Sequence, residues 1–475
     1  MEENGSLVAA PRHWRHPWNA DHSFQDVEAT TFADSCMVAV HHSVADTLLP
    51  LTTEFDDVNW WICGEIFFER AAKLYWGRVH RFSNLHVWNK RNRPYPKERG
   101  GWMVSLNRIG EAIRKPMPSV AASRTRPPSL DKHTAVVVTS IAQSTKALRI
   151  IGRRCGRSDF TFFIIGDAKT PADFQIDGAD YWSVGRQKTL PFRLARALPE
   201  NHYSRKNIGY LLALQDPNTR FIVETDDDNL PLAEFWRRRQ LVHEVDSLTG
   251  TGWLNAYRYF TDRNVWPRGF PLQQIAPGTA VKPQPVKASR DCFVQQGLAQ
   301  HDPDVDAIFR LTQPLPIWFR DRRPIYLEPG LWCPINSQNT TWSVDVAALM
   351  YLPTLCPMRE TDIWRGLVAQ RVLWALGAGV MVHQASVIQD RNIHDLDHDF
   401  REESRLYAQV AAVAGALGDL TLAPGRKAIE DNLRRCYEEM VRLEIFPSAE
   451  LSLLESWCDD LAMIGGPSHH ADKPA

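Results

Sequence analysis

An excess of charge of either sign is missing from this 475-residue chain, in which 55 lysines and arginines face 56 aspartates and glutamates for a formal net charge of −1. That balance excludes a general nucleic-acid binder, whose binding domain is strongly basic. It also gives no support for electrostatic attachment to an anionic membrane. Long apolar runs are missing too, and none approaches the roughly 18 to 20 residues that a transmembrane helix needs. The opening residues, MEENGSLVAAPRHWRHPW, hold no continuous apolar stretch followed by a cleavage site, so no secretory signal is read there. The eight cysteines are scattered without short paired spacings, which in a chain of this size points to reduced, mostly buried thiols. These absences predict a soluble cytoplasmic protein. Several catalytic signatures are lacking as well: Gly-Lys-Ser/Thr of the Walker type, Gly-x-Gly-x-x-Gly, His-Glu-x-x-His and Gly-x-Ser-x-Gly.

What is present is a hydrophobic content of 44%, enough for a real core, in a length that fits about three average domains or two larger ones. PMPSVAASRTRPPSLD, starting at Pro116, carries four prolines and no apolar periodicity, and reads as a linker over 116–132. Before it, 1–115 form an N-terminal elaboration or small domain with buried-looking pieces such as CMVAVHH (36–42) and NWWICGEIFFERAAKLYWG (59–77). After it the pattern becomes α/β. β-Branched and aromatic runs at 135–138, 160–165 and 221–223 predict strands, and 145–156 and 205–215 between them predict helices. Such alternation implies βαβ units, whose sheets bind ligands beyond the carboxyl ends of their strands. The core is placed at 133–400, a helical region at 401–465 and a disordered tail at 466–475.

The third strand runs into Asp226, Asp227 and Asp228. Three adjacent carboxylates repel one another unless a cation or a hydrogen-bond network compensates them, and a divalent ion of oxygen preference does so well. Alternation along an extended chain puts Asp226 and Asp228 on one side, as the metal-facing pair, and Asp227 on the other. The alternative is a solvated acidic turn. The second strand ends at Gly166 and Asp167, a turn that either closes the strand or sets a carboxylate against a base or ribose, with Lys169 near phosphate. Arg205 and Lys206 open a helix where the dipole favours acidic residues, which calls for a compensating anion or the nearby aspartates. Further on, Thr361 is read as the cap of a helix that Gly377 ends. Asp362 in its first turn either favours the dipole or serves as a general base on an acceptor hydroxyl. The seventeen tryptophans are core residues first, although aromatic faces also stack on sugars.

With these stretches in hand, residues from about 134 to 400 resemble the STELLO-type glycosyltransferase family. The resemblance is carried by VVVTSI (136–141), IGDAKTPADF (165–174), YSRKNIGYL (203–211), ETDDDN (224–229) and VWPRGFPL (265–272). It continues in QQGLAQHDPDVDAIFRLT (295–312), CPINSQNT (333–340) and TDIWRGLVAQRVLWALG (361–377). More distantly the same core is similar to the reversibly glycosylated polypeptides, which include UDP-arabinopyranose mutases. The resemblance implies a GT-A-like fold: a Rossmann-type mixed-sheet core with an N-terminal elaboration and a helical C-terminal region. It implies that Asp226 and Asp228 hold a divalent metal, Mn2+ or Mg2+, on the donor diphosphate. Asp167 would lie near the nucleoside, Arg205, Lys206 and Lys169 near the phosphates, with Asp227, Trp266 and Arg268 completing the nucleotide-sugar site. Asp362 takes the place of the acceptor-side base, and Arg268 that of the arginine glycosylated in the mutases. Where relatives supply a late histidine to the metal, this chain has Gln389, with His394 and His398 as substitutes.

The expectation is therefore a metal-dependent transferase moving sugar from a nucleotide-sugar donor, foremost a UDP-sugar, to a glycan or small-molecule acceptor with inversion. The alternatives are a mutase or self-glycosylating protein using Arg268, and a non-catalytic scaffold of the same fold. Self-association is left open.

Overall fold

The computed structural model describes residues 133–465 apart from 157–159, 277, 279 and 392–394, and, nearer the N-terminus, 8–13, 27–29, 38–40, 68, 71 and 79–87. The expected linker, the expected tail and His394 lie outside the described residues. The chain divides into two compact units, Met1–Ser129 and Leu130–Ala475. In the first, β1 (Val8–His13), β2 (Val27–Ala29), β3 (Ala39–Val40) and β4 (Val79–Val87) form one sheet in the order β2-β4-β1-β3. Phe68 and Ala71, from the aromatic stretch singled out above, are buried.

In the second unit the three predicted strands appear as β5 (Thr134–Ser140), β6 (Phe160–Gly166) and β8 (Phe221–Thr225), with β7 (Asp180–Trp182) beside β6. β5 pairs in parallel with both β6 and β8, and β6 with β7. Beyond β8 the sheet becomes mixed. It takes in β9 (Asn229–Pro231), β10 (Val242–Leu248), β12 (Val286–Asp291), β13 (Val294–Gln300), β14 (Ile325–Leu327), β16 (Asn339–Ser343) and β17 (Val380–Gln389). The resulting 11-stranded order is β12-β10-β14-β17-β13-β16-β8-β5-β6-β7, with β9 paired to β17. β11 (Gly252–Trp253) and β15 (Leu331–Trp332) pair apart from it. This mixed α/β architecture is the expected class.

β5 is buried on both faces, as a central strand must be, and its β-branched run suits that place. Helix α1 (Lys146–Cys155) buries Ala147, Leu148, Ile151 and Cys155 and is capped by Thr145, whose hydroxyl accepts from Leu148 N at 3.2 Å. Helix α2 (Lys206–Leu214) is buried almost all round. Its Gly209 permits the close approach, since a Cβ there would lie 2.4 Å from Val137 and 2.9 Å from Ile165.

Helix α3 (Thr361–Ala375) differs from expectation at its start. Thr361 is the first helical residue, and its hydroxyl donates back to Pro357 O at 3.3 Å instead of capping. Glu360 stands before it, accepting from Trp364 Nε1 at 2.9 Å and Arg405 Nη2 at 2.8 Å. Gly377, at φ +69°, ends the helix as expected.

After α4 (Leu396–Glu402), the C-terminal helices α5 (Ser404–Asp419), α6 (Ile429–Arg442) and α7 (Ala449–Ile464) share one hydrophobic core with the sheet. Buried Glu450 accepts from Tyr351 OH at 2.6 Å and from the backbone N–H groups of Thr354 and Leu355 at 3.0 and 2.7 Å. The helices are therefore a layer of this unit. No disulfide joins the six described cysteines, five of which are buried. Among the described residues no helix is long and apolar enough to cross a membrane.

Candidate functional site

The carboxyl ends of β5, β6 and β8 open onto a cavity of about 440 Å³. Its two ends are tied together by a buried ion pair. Glu224, two residues before the acidic turn, takes Arg365 Nη1 and Nη2 at 2.8 and 2.7 Å, and Arg365 stands one turn into α3 beyond Asp362. Tyr210 OH and Trp342 Nε1 also donate to Glu224. This bidentate clamp holds the strand carrying the acidic turn against the helix carrying Asp362.

Asp226, Asp227 and Asp228 all line the cavity, which corrects the expected alternation. β8 stops at Thr225 and the three aspartates form a turn, so the two-residue period of a strand no longer applies. Asp226 Oδ1 accepts from Lys206 Nζ and Tyr203 OH, each at 3.2 Å. Asp227 accepts from Ser140 Oγ. Asp228 Oδ2 accepts from Gln389 Nε2 at 3.2 Å, while its buried Oδ1 has no hydrogen-bond partner among the described residues. Burial raises the Asp226 carboxyl to about 6 despite Lys206. Burial, with the negative charges of Asp226 and Asp227, raises Asp228 to about 7.

Asp362 is treated in the opposite way. Arg268 Nη1 and Nη2 donate to its Oδ1 and Oδ2, each at 3.0 Å, and Ser337 adds its N–H at 3.1 Å and its hydroxyl at 3.0 Å to Oδ2. Burial alone would raise this carboxyl, but Arg268 and Ser337 outweigh it and hold it down at about 2. Arg268 is itself saturated. Nε and Nη2 donate to Asp304 at 2.9 and 2.8 Å, and Nη1 also reaches the carbonyl of Arg359. A hydroxyl, Tyr203 OH, lies 2.6 Å from Ser337 Oγ and so links the two carboxylate sites.

Asp167 lines the cavity at the end of β6, with its carboxylate accepting from the N–H groups of Ala168, Asn201 and His202 at 2.7, 2.7 and 3.0 Å. Lys169 lies at the mouth and is exposed. Three expected ligand contacts are altered. Arg205 borders the cavity, but its guanidinium is spent on Gln187 and the carbonyls of Leu198 and Pro199. Lys206 sits behind Asp226, because α2 runs so close to the sheet that its first turn points inward. Trp266 is a core residue, donating from Nε1 to Asp306 at 2.7 Å and packing edge-on to Phe309. His398 is exposed on α4, 3.6 Å from Glu402.

Tyr203, Ser337, Asp304, Arg359 and Arg391 were not singled out from sequence as site residues. Ser337 lies inside the CPINSQNT stretch, so order alone pointed to its neighbourhood without its role. Among the described residues no three or more His, Cys, Asp or Glu side chains converge as a complete metal-ligand set. Asp226, Asp228 and Gln389 do converge, as two carboxylates and an amide.

Comparison with known proteins reaches the Asp362 end of the site. Residues 359–468 match the family model of the STELLO glycosyltransferases, so the match reaches past residue 400 into the C-terminal helices. Two Arabidopsis thaliana proteins, "Probable glycosyltransferase STELLO2" and "Probable glycosyltransferase STELLO1", are each 26% identical over 327 and 323 residues respectively. Each alignment takes in 63% of this chain and 41% of the relative, so the chain spans about two-fifths of the length of these relatives. A solved structure titled "Crystal Structure of a Mycobacterial Protein" is 11% identical, covers 62% of this chain and 80% of its own, and superposes with a TM-score of 0.31. By these sequence matches the chain is related to the STELLO glycosyltransferase family.

Proposed function

We propose that the cavity takes a nucleotide-sugar donor on a divalent cation and transfers its sugar to an acceptor hydroxyl. The observation that carries this reading is the under-compensated acidic turn: raised Asp226 and Asp228 carboxyls, with a buried Asp228 oxygen that has no hydrogen-bond partner among the described residues. Hard oxygen donors and a short protein ligand set suit Mg2+ or Mn2+, which bind through one or two carboxylates and leave positions for phosphates and water. Asp226 and Asp228 would hold the ion, with Gln389 beside them. Bound there, a cation supplies electrostatic stabilisation to the departing diphosphate.

The chain's own residues account for the rest. Asp167 fixes the loop at 201–202 beside the nucleoside end, and Lys169 offers a mobile cation at the mouth. Asp362 is the acceptor-side carboxylate. Its Oδ1 carries one hydrogen bond, from Arg268, and retains capacity for an acceptor hydroxyl. As the acceptor oxygen bonds to the anomeric carbon and the bond to the diphosphate breaks, the hydroxyl proton passes to Asp362, giving inversion. A carboxylate held at about 2 takes that proton only as the new bond forms. Self-glycosylation needs a guanidinium nitrogen with a free lone pair, whereas all the Arg268 N–H groups are engaged and two carboxylates hold it protonated. No observation favours that second reading.

Calorimetry and thermal shift with UDP-sugars, with and without Mn2+, test the proposal, since a ligand of the folded state raises its stability. Binding should require the cation and be lost in Asp228→Ala. Nucleotide-sugar affinity indifferent to chelator and to this substitution would remove the cation role, and no binding of any nucleotide sugar would remove the reading.

A further inference from the structure

Among the residues that line the cavity, His202 takes no part in the reaction above, yet its ring is held in one protonation state. It caps the turn Tyr203–Arg205: the Ser204 N–H donates to His202 Nδ1 at 3.1 Å, with Ser204 Oγ 2.8 Å from the same atom. A backbone N–H can only donate, so Nδ1 presents its lone pair and the proton of the neutral ring sits on Nε2. Burial lowers the pKa of the ring below its ordinary value, although the charge of Asp167 pulls it upward, which keeps the ring neutral near neutral pH. Nε2 is therefore a donor and never an acceptor. It has no hydrogen-bond partner among the described residues. Nδ1 faces the fully buried Ser204, which leaves Nε2 on the outer edge of a ring that is only partly buried in the cavity wall. The loop beneath it is fixed as well, because the N–H groups of Asn201 and His202 both end on Asp167.

The place of His202 along the cavity follows from strand order. β8, which runs into the acidic turn, has β16 on one side and β5 and then β6 on the other. Ser337, just before β16, holds Asp362, so the sugar and acceptor of the proposed reaction belong on that side. The nucleoside is left the side of β5 and β6, where Asp167 and His202 stand.

A fixed neutral donor distinguishes bases by their exocyclic groups. Uracil presents a carbonyl where cytosine has an amine, and guanine presents one where adenine has an amine. An N–H that meets the carbonyl gains a hydrogen bond. Against the amine it meets a second donor, and both lose their partners.

We propose that His202 is a base-selecting residue whose Nε2–H donates to the exocyclic carbonyl of an oxo base, uracil or guanine, and rejects the amino base of the same size. The inference deepens the nucleotide-sugar reading and rests on it.

Calorimetry in Mn2+ with UDP, CDP, GDP and ADP tests it, on the wild type and on His202→Asn. Asparagine keeps the cap, since its side-chain oxygen accepts from the Ser204 N–H, but it carries no donor out to where Nε2 stands. The wild type should bind the oxo member of a pair about tenfold or more tighter than the amino member. A preference for UDP over CDP assigns uracil, and one for GDP over ADP assigns guanine. In His202→Asn that ratio should shrink to within about threefold, with the loss falling on the oxo nucleotide and the melting temperature of the free protein unchanged. Indifference of the wild type between oxo and amino bases, which needs no variant to observe, would overturn the assignment while leaving nucleotide binding in place. So would a ratio that His202→Asn leaves intact. Equal losses for all four nucleotides would move the donor to ribose or phosphate and overturn it too. If none of the four binds, the nucleotide reading itself fails and this inference falls with it.

Discussion

Asp226 and Asp228 share a cavity with Asp362, yet the protein surrounds them in opposite ways. Burial, with the three carboxylates packed together, raises the proton affinity of Asp226 and Asp228 although one lysine sits behind them, and one buried oxygen has no partner among the described residues. Asp362 receives a bidentate arginine, a backbone N–H and a serine hydroxyl, so its proton affinity falls. The difference shows that burial alone does not set the character of a site carboxylate; the count of donors aimed at it does. The acidic turn is left short of donors, as the proposed cation site requires, whereas Asp362 is held ionised in the resting site with room for one more donor at Oδ1.

The largest effect should come from removing the ionised carboxylate. Asp362→Asn keeps the shape but takes away the proton acceptor, and sugar transfer is expected to fall about 10²- to 10⁴-fold. Turnover within a few-fold of wild type would end its role as base. Removing its partner tests the same contrast from the other side. Arg268→Met leaves Asp304 and Asp362 buried without their cation, a loss of about 3–5 kcal/mol that denaturant titration should read. A loss below about 1 kcal/mol would mean that Asp362 is not over-compensated in the way the geometry states.

How much of this contrast was visible beforehand depends on sequence separation. The strands at 135–138, 160–165 and 221–223 and the helix ending at Gly377 are local patterns, and the structure has them where the residues pointed. The acidic turn was also found from adjacency alone. The fate of each charge was not. Arg268 meets Asp362 across 94 residues, and Arg365 meets Glu224 across 141, distances over which periodicity carries no information. Arg205 and Lys206 open a helix, which calls for an anion or the nearby aspartates: Lys206 meets Asp226, the second of these, while Arg205 is taken up by Gln187 and two carbonyls. The alternation of Asp226 to Asp228 failed at the one residue where strand gives way to turn.

A third, smaller effect follows from pH. The folded-state pKa values of Asp226 and Asp228 lie above the unfolded value of 3.8, so the native turn binds protons that the unfolded chain releases. Its contribution to stability is therefore most favourable at low pH and is lost as pH rises through about 6 to 7. Cation binding reverses this, because it needs both carboxylates ionised. The stabilisation given by Mn2+, read by thermal and denaturant unfolding, should grow from pH 5.5 to pH 8, toward the roughly 2.7 kcal/mol expected at about 100-fold over the dissociation constant. Asp228→Asn should flatten the pH dependence and lose the Mn2+ increment; an increment independent of pH would contradict the raised carboxyls.

The smallest effect asks whether the two sites are separate at all. Tyr203 OH has one proton and two acceptors, Asp226 Oδ1 at 3.2 Å and Ser337 Oγ at 2.6 Å, while Lys206 Nζ donates to it at 2.7 Å. If Tyr203 donates to Ser337, the serine proton is free for Asp362; if Tyr203 donates to Asp226, the serine proton is drawn back toward Tyr203 and Asp362 loses a bond. Neutralising Asp226 weakens its claim on the tyrosine proton and so strengthens the bond from Ser337 to Asp362. A double-mutant cycle of Asp226→Asn with Ser337→Ala, read by denaturant unfolding, should therefore show a coupling on the order of 0.5 kcal/mol or more. The coupling should vanish in the Tyr203→Phe background, which keeps the ring and removes the hydroxyl. Additive effects in the wild-type background would mean that the proton of Tyr203 is not shared, and that charge at the acidic turn never reaches Asp362 by this route.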